Sequence, residues 1–179
     1  NTTVNQFAAD YYQFAAGESF TIDFKGDSLV PLLDITPISG ERMWVSRRTN
    51  NSMARLTRPL DLRQVDSATL QYDVYRDIEL GYDFAYVTVS ADGGATWNSL
   101  VSENMDGLAF EDNPANNALT DRFYTGRGDA WVPATADLTP WAGQEILLRF
   151  EFITDPILNF DGIAIDNLAV PEIGYLDPA

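Results

Sequence analysis

"SATLQYDVYRDIELGYDFAYVTVSADGGATW", residues 67–97, holds two runs of alternating polarity, a short connection between them and an Asp-Gly-Gly turn. In the first run Ala68, Leu70, Tyr72 and Val74 share one parity, and Thr69, Gln71, Asp73 and Tyr75 the other. In the second, Ala85, Val87 and Val89 alternate with Tyr86, Thr88 and Ser90. A period of two puts one set on the buried face of a strand and the other on its wetter face. Asp92-Gly93-Gly94 reads as the hairpin tip that follows: glycine admits positive φ, and Asp bonds its own turn.

The same period recurs in "EILLRFEFIT", residues 145–154, where Ile146, Leu148, Phe150 and Phe152 oppose Glu145, Arg149 and Glu151. Further strands are expected at 4–14, 18–25, 28–33, 42–46, 53–58, 97–102, 130–138 and 162–170. No window of a dozen residues carries an amphipathic helix. Many strands separated by Gly, Pro, Asn and Asp turns define an all-β chain, and the mix of long strands and long loops favours a two-sheet antiparallel β-sandwich of jelly-roll type. No repeat or Pro/Ser linker divides it, so residues 1–170 read as one domain. Residues 171–179, where Pro171 and Pro178 interrupt the pattern, read as a C-terminal tail or the start of a linker. The chain begins at Asn1 rather than Met, as a mature product or an excised domain would.

Composition narrows the chemistry. The 179 residues carry 27 acids against 11 bases, a formal charge of −16, with no His and no Cys. Nucleic acid is excluded as a partner because phosphates need a basic footprint. No apolar run approaches the roughly 20 residues of a membrane-spanning helix, so no membrane insertion is expected. Without His or Cys there is no Ser-His-Asp or Cys-His arrangement, no HExxH motif, and no disulfide or thiolate metal site. A carboxylate pair for glycoside hydrolysis stays open in principle, but nothing singles out two of the acids. Dispersed acid suits a solvated surface, or carboxylates gathered around a hard cation such as calcium.

Residues 103–129, "ENMDGLAFEDNPANNALTDRFYTGRGD", interrupt the strands. Their acids Glu103, Asp106, Glu111, Asp112 and Asp121 allow a calcium loop or a solvated excursion, and their spacing is not that of an EF-hand. Arg127-Gly128-Asp129 matches the adhesion tripeptide, a signal too short to carry weight. In "DGIAIDNLAV", residues 161–170, the apolar parity switches from Ile163 and Ile165 to Leu168 and Val170 across Asp166-Asn167. A bulge or a ligand site produces such a switch, and Asp166 either bonds nearby backbone or binds a ligand.

Taken in order, "VNQFAADYYQF", "VPLLDITPISGERMWVSRR", "LTRPLDL", the block from Ser67 to Trp97, "PWAGQEILLRFEFITD" and "DGIAIDNLAV" resemble the β-sandwich domain that follows the catalytic domain in immune inhibitor A-like secreted metallopeptidases. They are more distantly similar to MAM and cleaved-adhesin jelly rolls and to carbohydrate-binding modules. The resemblance implies a non-catalytic accessory domain at an extracellular or cell-surface location, with a neighbouring domain of the same or another exported protein as its partner. It further implies a structural calcium held by Asp166, with Asp161 of "FDG" and Asp83 of "YDFAYV". Related domains carry a Gly- and Asp-bearing turn where this chain has "WVSRRTNNS", residues 44–52, which offers two Arg and no acid. The alternative is a glycan-binding module that stacks sugars on Trp44, Trp97, Trp131 or Trp141.

Overall fold

The computed structural model describes residues 11–13, 15, 17–23, 25–26, 33–108 and 114–177. The chain divides into two units, Asn1–Leu32 and Leu33–Ala179. The described residues of the first carry neither strand nor helix. The strand expected at 18–25 is therefore not formed over its described residues: alternation signals a face to bury, not a ladder partner. The strand expected at 4–14 lies outside the described residues except for its last few, which are not strand, and the one at 28–33 lies outside them except for Leu33.

The second unit is built from strands β1 (Trp44–Val45), β2 (Met53–Asp61), β3 (Thr69–Asp77), β4 (Phe84–Ser90), β5 (Asn98–Ser99), β6 (Asp106–Gly107), β7 (Arg122–Phe123), β8 (Val132–Asp137), β9 (Glu145–Ile153), β10 (Gly162–Val170) and β11 (Tyr175–Asp177). One sheet has the order β1-β10-β3-β8, with β11 added to the end of β10; the other runs β2-β9-β4-β5. Every ladder is antiparallel. Early strands pair late ones, β1 with β10, β2 with β9 and β3 with β8, while the runs β1 to β4 and β8 to β10 alternate between the two sheets. This is a β-sandwich of jelly-roll type. The only helical pieces among the described residues are 3-10 turns at Thr139–Trp141 and Pro171–Ile173. The second leads into β11, so residues after Val170 extend the sheet up to Asp177.

The alternating sets meet between the sheets. Leu70, Tyr72 and Val74 of β3 and Ile163 and Ile165 of β10 face Val87 and Val89 of β4 and Leu148, Phe150 and Phe152 of β9, all of them buried. Each fully buried side chain of this size contributes about 1.5–3 kcal/mol. Tyr72 packs edge-on against Phe150, ring centroids 5.0 Å apart. Its hydroxyl donates to Ser102 Oγ at 2.7 Å, so the buried phenol keeps a partner.

One expectation for β4 needs correction. Tyr86, Thr88 and Ser90 are not wet: all seven residues of the strand are buried. β4 is central in its sheet, and part of the acidic segment after β5 lies on its outer face. Phe84 and Tyr86 form a second small core with Phe123, the Phe84 and Phe123 rings 4.7 Å apart, and Ala118 packs on it. Leu119 N–H donates to the Tyr86 hydroxyl at 3.0 Å. This part of 103–129 is thus a cover and not a solvated excursion, because Phe123 supplies the apolar anchor that the acid-rich composition masks.

The bulge in β10 is present. Its register against β3 shifts between Asp166 and Ala169, and Asn167 takes a left-handed φ of 52°. At one end of the sandwich lie the connections 46–52, 78–83, 124–131 and 154–161; at the other lie 62–68, 91–97, 138–144 and 171–174. The Asp92 turn belongs to the second group, far along the strands from the acids considered next.

Candidate metal centre

Strands β4 and β9 are neighbours, with Phe84 paired to Ile153. The acid just before β4, Asp83, and the acid just after β9, Asp155, therefore meet. The turn from Glu79 to Asp83 adds the third: Asp83 N–H donates to the Glu79 carbonyl at 3.2 Å, and Gly81 supplies the φ of 77° that closes it. Thr125 locks the turn from outside, its hydroxyl 3.1 Å from the Glu79 carbonyl and 3.0 Å from that of Asp83, while accepting from Gly81 N–H at 2.9 Å. Carboxylate oxygens of Glu79, Asp83 and Asp155 consequently lie within 4.8 Å of one another.

The local electrostatics are unfavourable without a counter-charge. Asp83 is 0% exposed. Its Oδ1 accepts the Asp155 N–H at 2.7 Å, but Oδ2 is buried with no partner, as is Glu79 Oε2. Burial, followed by the negative charges of Asp155 and Glu79, pushes the Asp83 carboxyl up to about 6 against the opposing pull of the Asp155 N–H. Burial and Asp155 also raise Glu79. Among the described residues no Arg or Lys forms an ion pair with any of the three. Buried carboxylates are normally paired or bound to a metal. An all-oxygen anionic set fits a hard divalent cation, calcium above all, and is unsuited to softer metals.

The loops around this point are tied together. Asn51 N–H donates to the Asp155 carbonyl at 2.8 Å, and Ser52 N–H to Thr154 Oγ1 at 2.9 Å. The Asn50 amide reaches the carbonyls of Pro156 and Ile157 at 3.0 and 2.8 Å. The turn that lacks the expected acid, 44–52, thus supports the acidic cluster through amides.

The three acids implied by the resemblance occupy different environments. Asp83 sits in the cluster. Asp161 lies beside Asp77, which is paired with Arg127, and is 3.8 Å from Arg48; burial and then Asp77 raise its carboxyl. Asp166 is 0% exposed, and its oxygens accept the N–H groups of Ile38 at 2.8 Å, Ser39 at 3.2 Å and Asn167 at 2.7 Å. That carboxylate anchors backbone at the bulge. Sequence alone does not single out Glu79 and Asp155. The available signal was positional: two acids flank the same end of two long apolar runs, and strands that pair bring such ends together.

Other sequence candidates are also placed. Asp106 pairs with Arg76 at 2.5 Å and accepts Thr125 N–H at 3.2 Å. Glu111 and Asp112 lie outside the described residues. Arg127 of the adhesion tripeptide is held by Asp77 and lies over Phe160, 4.7 Å from the ring centroid. The indoles have protein partners as well. Arg149 lies 3.6 Å from the centroid of Trp97, Arg58 4.5 Å from that of Trp44, and Trp131 Nε1 donates to the Thr36 carbonyl at 3.0 Å. Trp141 packs against the core.

Fold and site together define a jelly-roll β-sandwich with an acidic, oxygen-only cluster among its end loops. Residues 30–175 match the Immune inhibitor A-like, MAM domain family, and the chain belongs to it. It is 31% identical over 140 residues to the pre-pro-metalloprotease PrtV of Vibrio cholerae, covering 78% of this chain and 14% of that protein. It is 28% identical over 142 residues to immune inhibitor A of Bacillus thuringiensis subsp. alesti, covering 78% and 19%. With bacillopeptidase F of Bacillus subtilis the identity is 22% over 142 residues, 76% and 8%. The chain therefore spans less than a fifth of the length of these relatives. No helix among the described residues is long and apolar enough to cross a membrane.

Proposed function

We propose that this chain is a non-catalytic accessory module of an exported protein, acting outside the cell or at its surface by stabilising or spacing a neighbouring domain. A structural calcium bound by Glu79, Asp83 and Asp155 forms part of its end-loop architecture. The observation that carries the cation is Asp83, wholly buried with one oxygen unpartnered and two further carboxylates beside it. Family membership supports the accessory role, as does similarity to proteins named as proteases that are several times longer than this chain. The chain's own residues would orient the ion: Thr125 fixes the Glu79–Asp83 turn, and the Asp155 N–H fixes the Asp83 carboxylate. Bound there, the ion supplies the positive charge that the cluster lacks.

Titration calorimetry with calcium is the direct test. One site is expected, with Asp83→Asn and Asp155→Asn each weakening it at least tenfold while Asp161→Asn leaves it intact. No heat for the unsubstituted protein, or loss of binding on Asp161→Asn alone, contradicts the assignment.

A further inference from the structure

The two flanks of the sandwich are closed differently. On one, a bridge between Ser102 and Ala136 links the β5 side to β8. On the other, β2 and the two-residue β1 are both edge strands, and β1 is too short to cover the length of β2. A cavity of about 150 Å3 opens there between the sheets. Its cause can be read from the register. Ala54 of β2 and Ala85 of β4 both pair with Phe152, so one row of the inner face carries two methyl groups where neighbouring rows carry larger side chains. Ile163 and Ile165 wall the cavity from the opposite sheet, and Leu56 and Phe150 from the same one.

Most of the lining is apolar, and its polar side chains besides Trp44 are engaged: Ser46 Oγ accepts the Ile163 N–H at 3.0 Å, and Arg55 pairs with Glu151 at 2.7 Å. Trp44 forms a wall of the cavity, and its Nε1–H is buried with no hydrogen-bond partner. Arg58 covers a ring face of this indole and is itself held by Asp177 at 2.6 Å, which fixes the indole in place. A buried indole N–H ordinarily finds an acceptor, and a mostly apolar void of this volume is of the size that admits benzene.

We propose that this flank is a binding pocket for a small aromatic molecule of the phenol class: a single ring that fills the space beside Ala54 and Ala85, and one oxygen that accepts the Trp44 Nε1–H. The pocket is independent of the cation, since none of its lining residues belongs to the acidic cluster.

The test uses the intact chain with benzene and phenol as probes, read by chemical-shift perturbation and thermal shift. Both probes are expected to bind with shifts centred on Trp44, Ala54 and Ala85, phenol roughly fivefold tighter through one neutral hydrogen bond. Trp44→Phe should keep benzene and erase the preference for phenol. Ala54→Leu should fill the space, raise the melting temperature and abolish both. The proposal is overturned if neither probe binds the unsubstituted chain; a higher melting temperature in Ala54→Leu then makes the void a packing defect only. It is equally overturned if binding persists in Ala54→Leu, or if Trp44→Phe leaves the preference for phenol unchanged.

Discussion

Two buried aspartates show how the same residue type does opposite things. Asp166 spends its oxygens on the N–H groups of Ile38, Ser39 and Asn167, so its charge is compensated by backbone dipoles. Replacing it with Ala should orphan those donors and cost about 2–4 kcal/mol in denaturant unfolding, whether or not calcium is present. Asp83 has one N–H and two like charges, and its carboxyl is pushed up to about 6. Its folded value lies above the ordinary carboxylate value of 3.8, so between those two pH values the folded state holds the extra proton. Without a cation, this group's contribution is most favourable below about pH 4 and is lost as pH rises through about 6. With calcium the sign reverses, because the ion binds the deprotonated form. The calcium-induced rise in melting temperature should therefore grow between about pH 5 and 7, and a pH-independent rise would count against Asp83 as a ligand. What sequence could not supply at this scale was the partner: parity places Asp83 just before a strand and Asp166 at the switch within one, but only the register shows which backbone or carboxylate each one meets.

Elements were more legible than residues wherever one face is buried and the other wet. β3 and β9 follow their parity, since polar side chains really do point away from the core. The turn after β4 was legible too. Gly93 and Gly94 take φ of 71° and 95°, and Asp92 accepts from the Thr96 hydroxyl, the Thr96 N–H and the Ser90 hydroxyl, which hold its carboxyl well below the usual range. The parity switch at Asp166-Asn167 located the bulge. Parity failed for β4, because its outer face is covered by a segment whose composition is polar and whose anchor is one aromatic. Phe123→Ala removes that anchor and should cost about 3–5 kcal/mol. Hydrogen exchange should then rise for Leu119 and Tyr124, and unchanged stability would show that the cover is not load-sharing. It failed at 18–25 as well, where alternation has no strand in the described residues to report.

At the scale of the molecule, −16 charges repel one another, and any salt relieves part of that strain. A specific cation site must therefore be separated from screening. The fold was open to sequence reasoning because a sandwich is mostly periodicity and turns. The site was not, because it is assembled from residues 79, 83 and 155 by the pairing of β4 with β9. The decisive measurement is thermal unfolding at pH 7.5 of the unsubstituted chain and Asp83→Asn, each in excess chelator and in excess calcium at matched ionic strength. Calcium at about a hundredfold over its dissociation constant should stabilise the unsubstituted chain by about 2.7 kcal/mol, a rise of roughly 5–10 °C for a chain of this size. Asp83→Asn should melt higher than the unsubstituted chain in chelator, because an unpaired buried charge is gone, and should not respond to calcium. An equal calcium response in both proteins, or none in either, would contradict a cation at the Glu79–Asp83–Asp155 cluster.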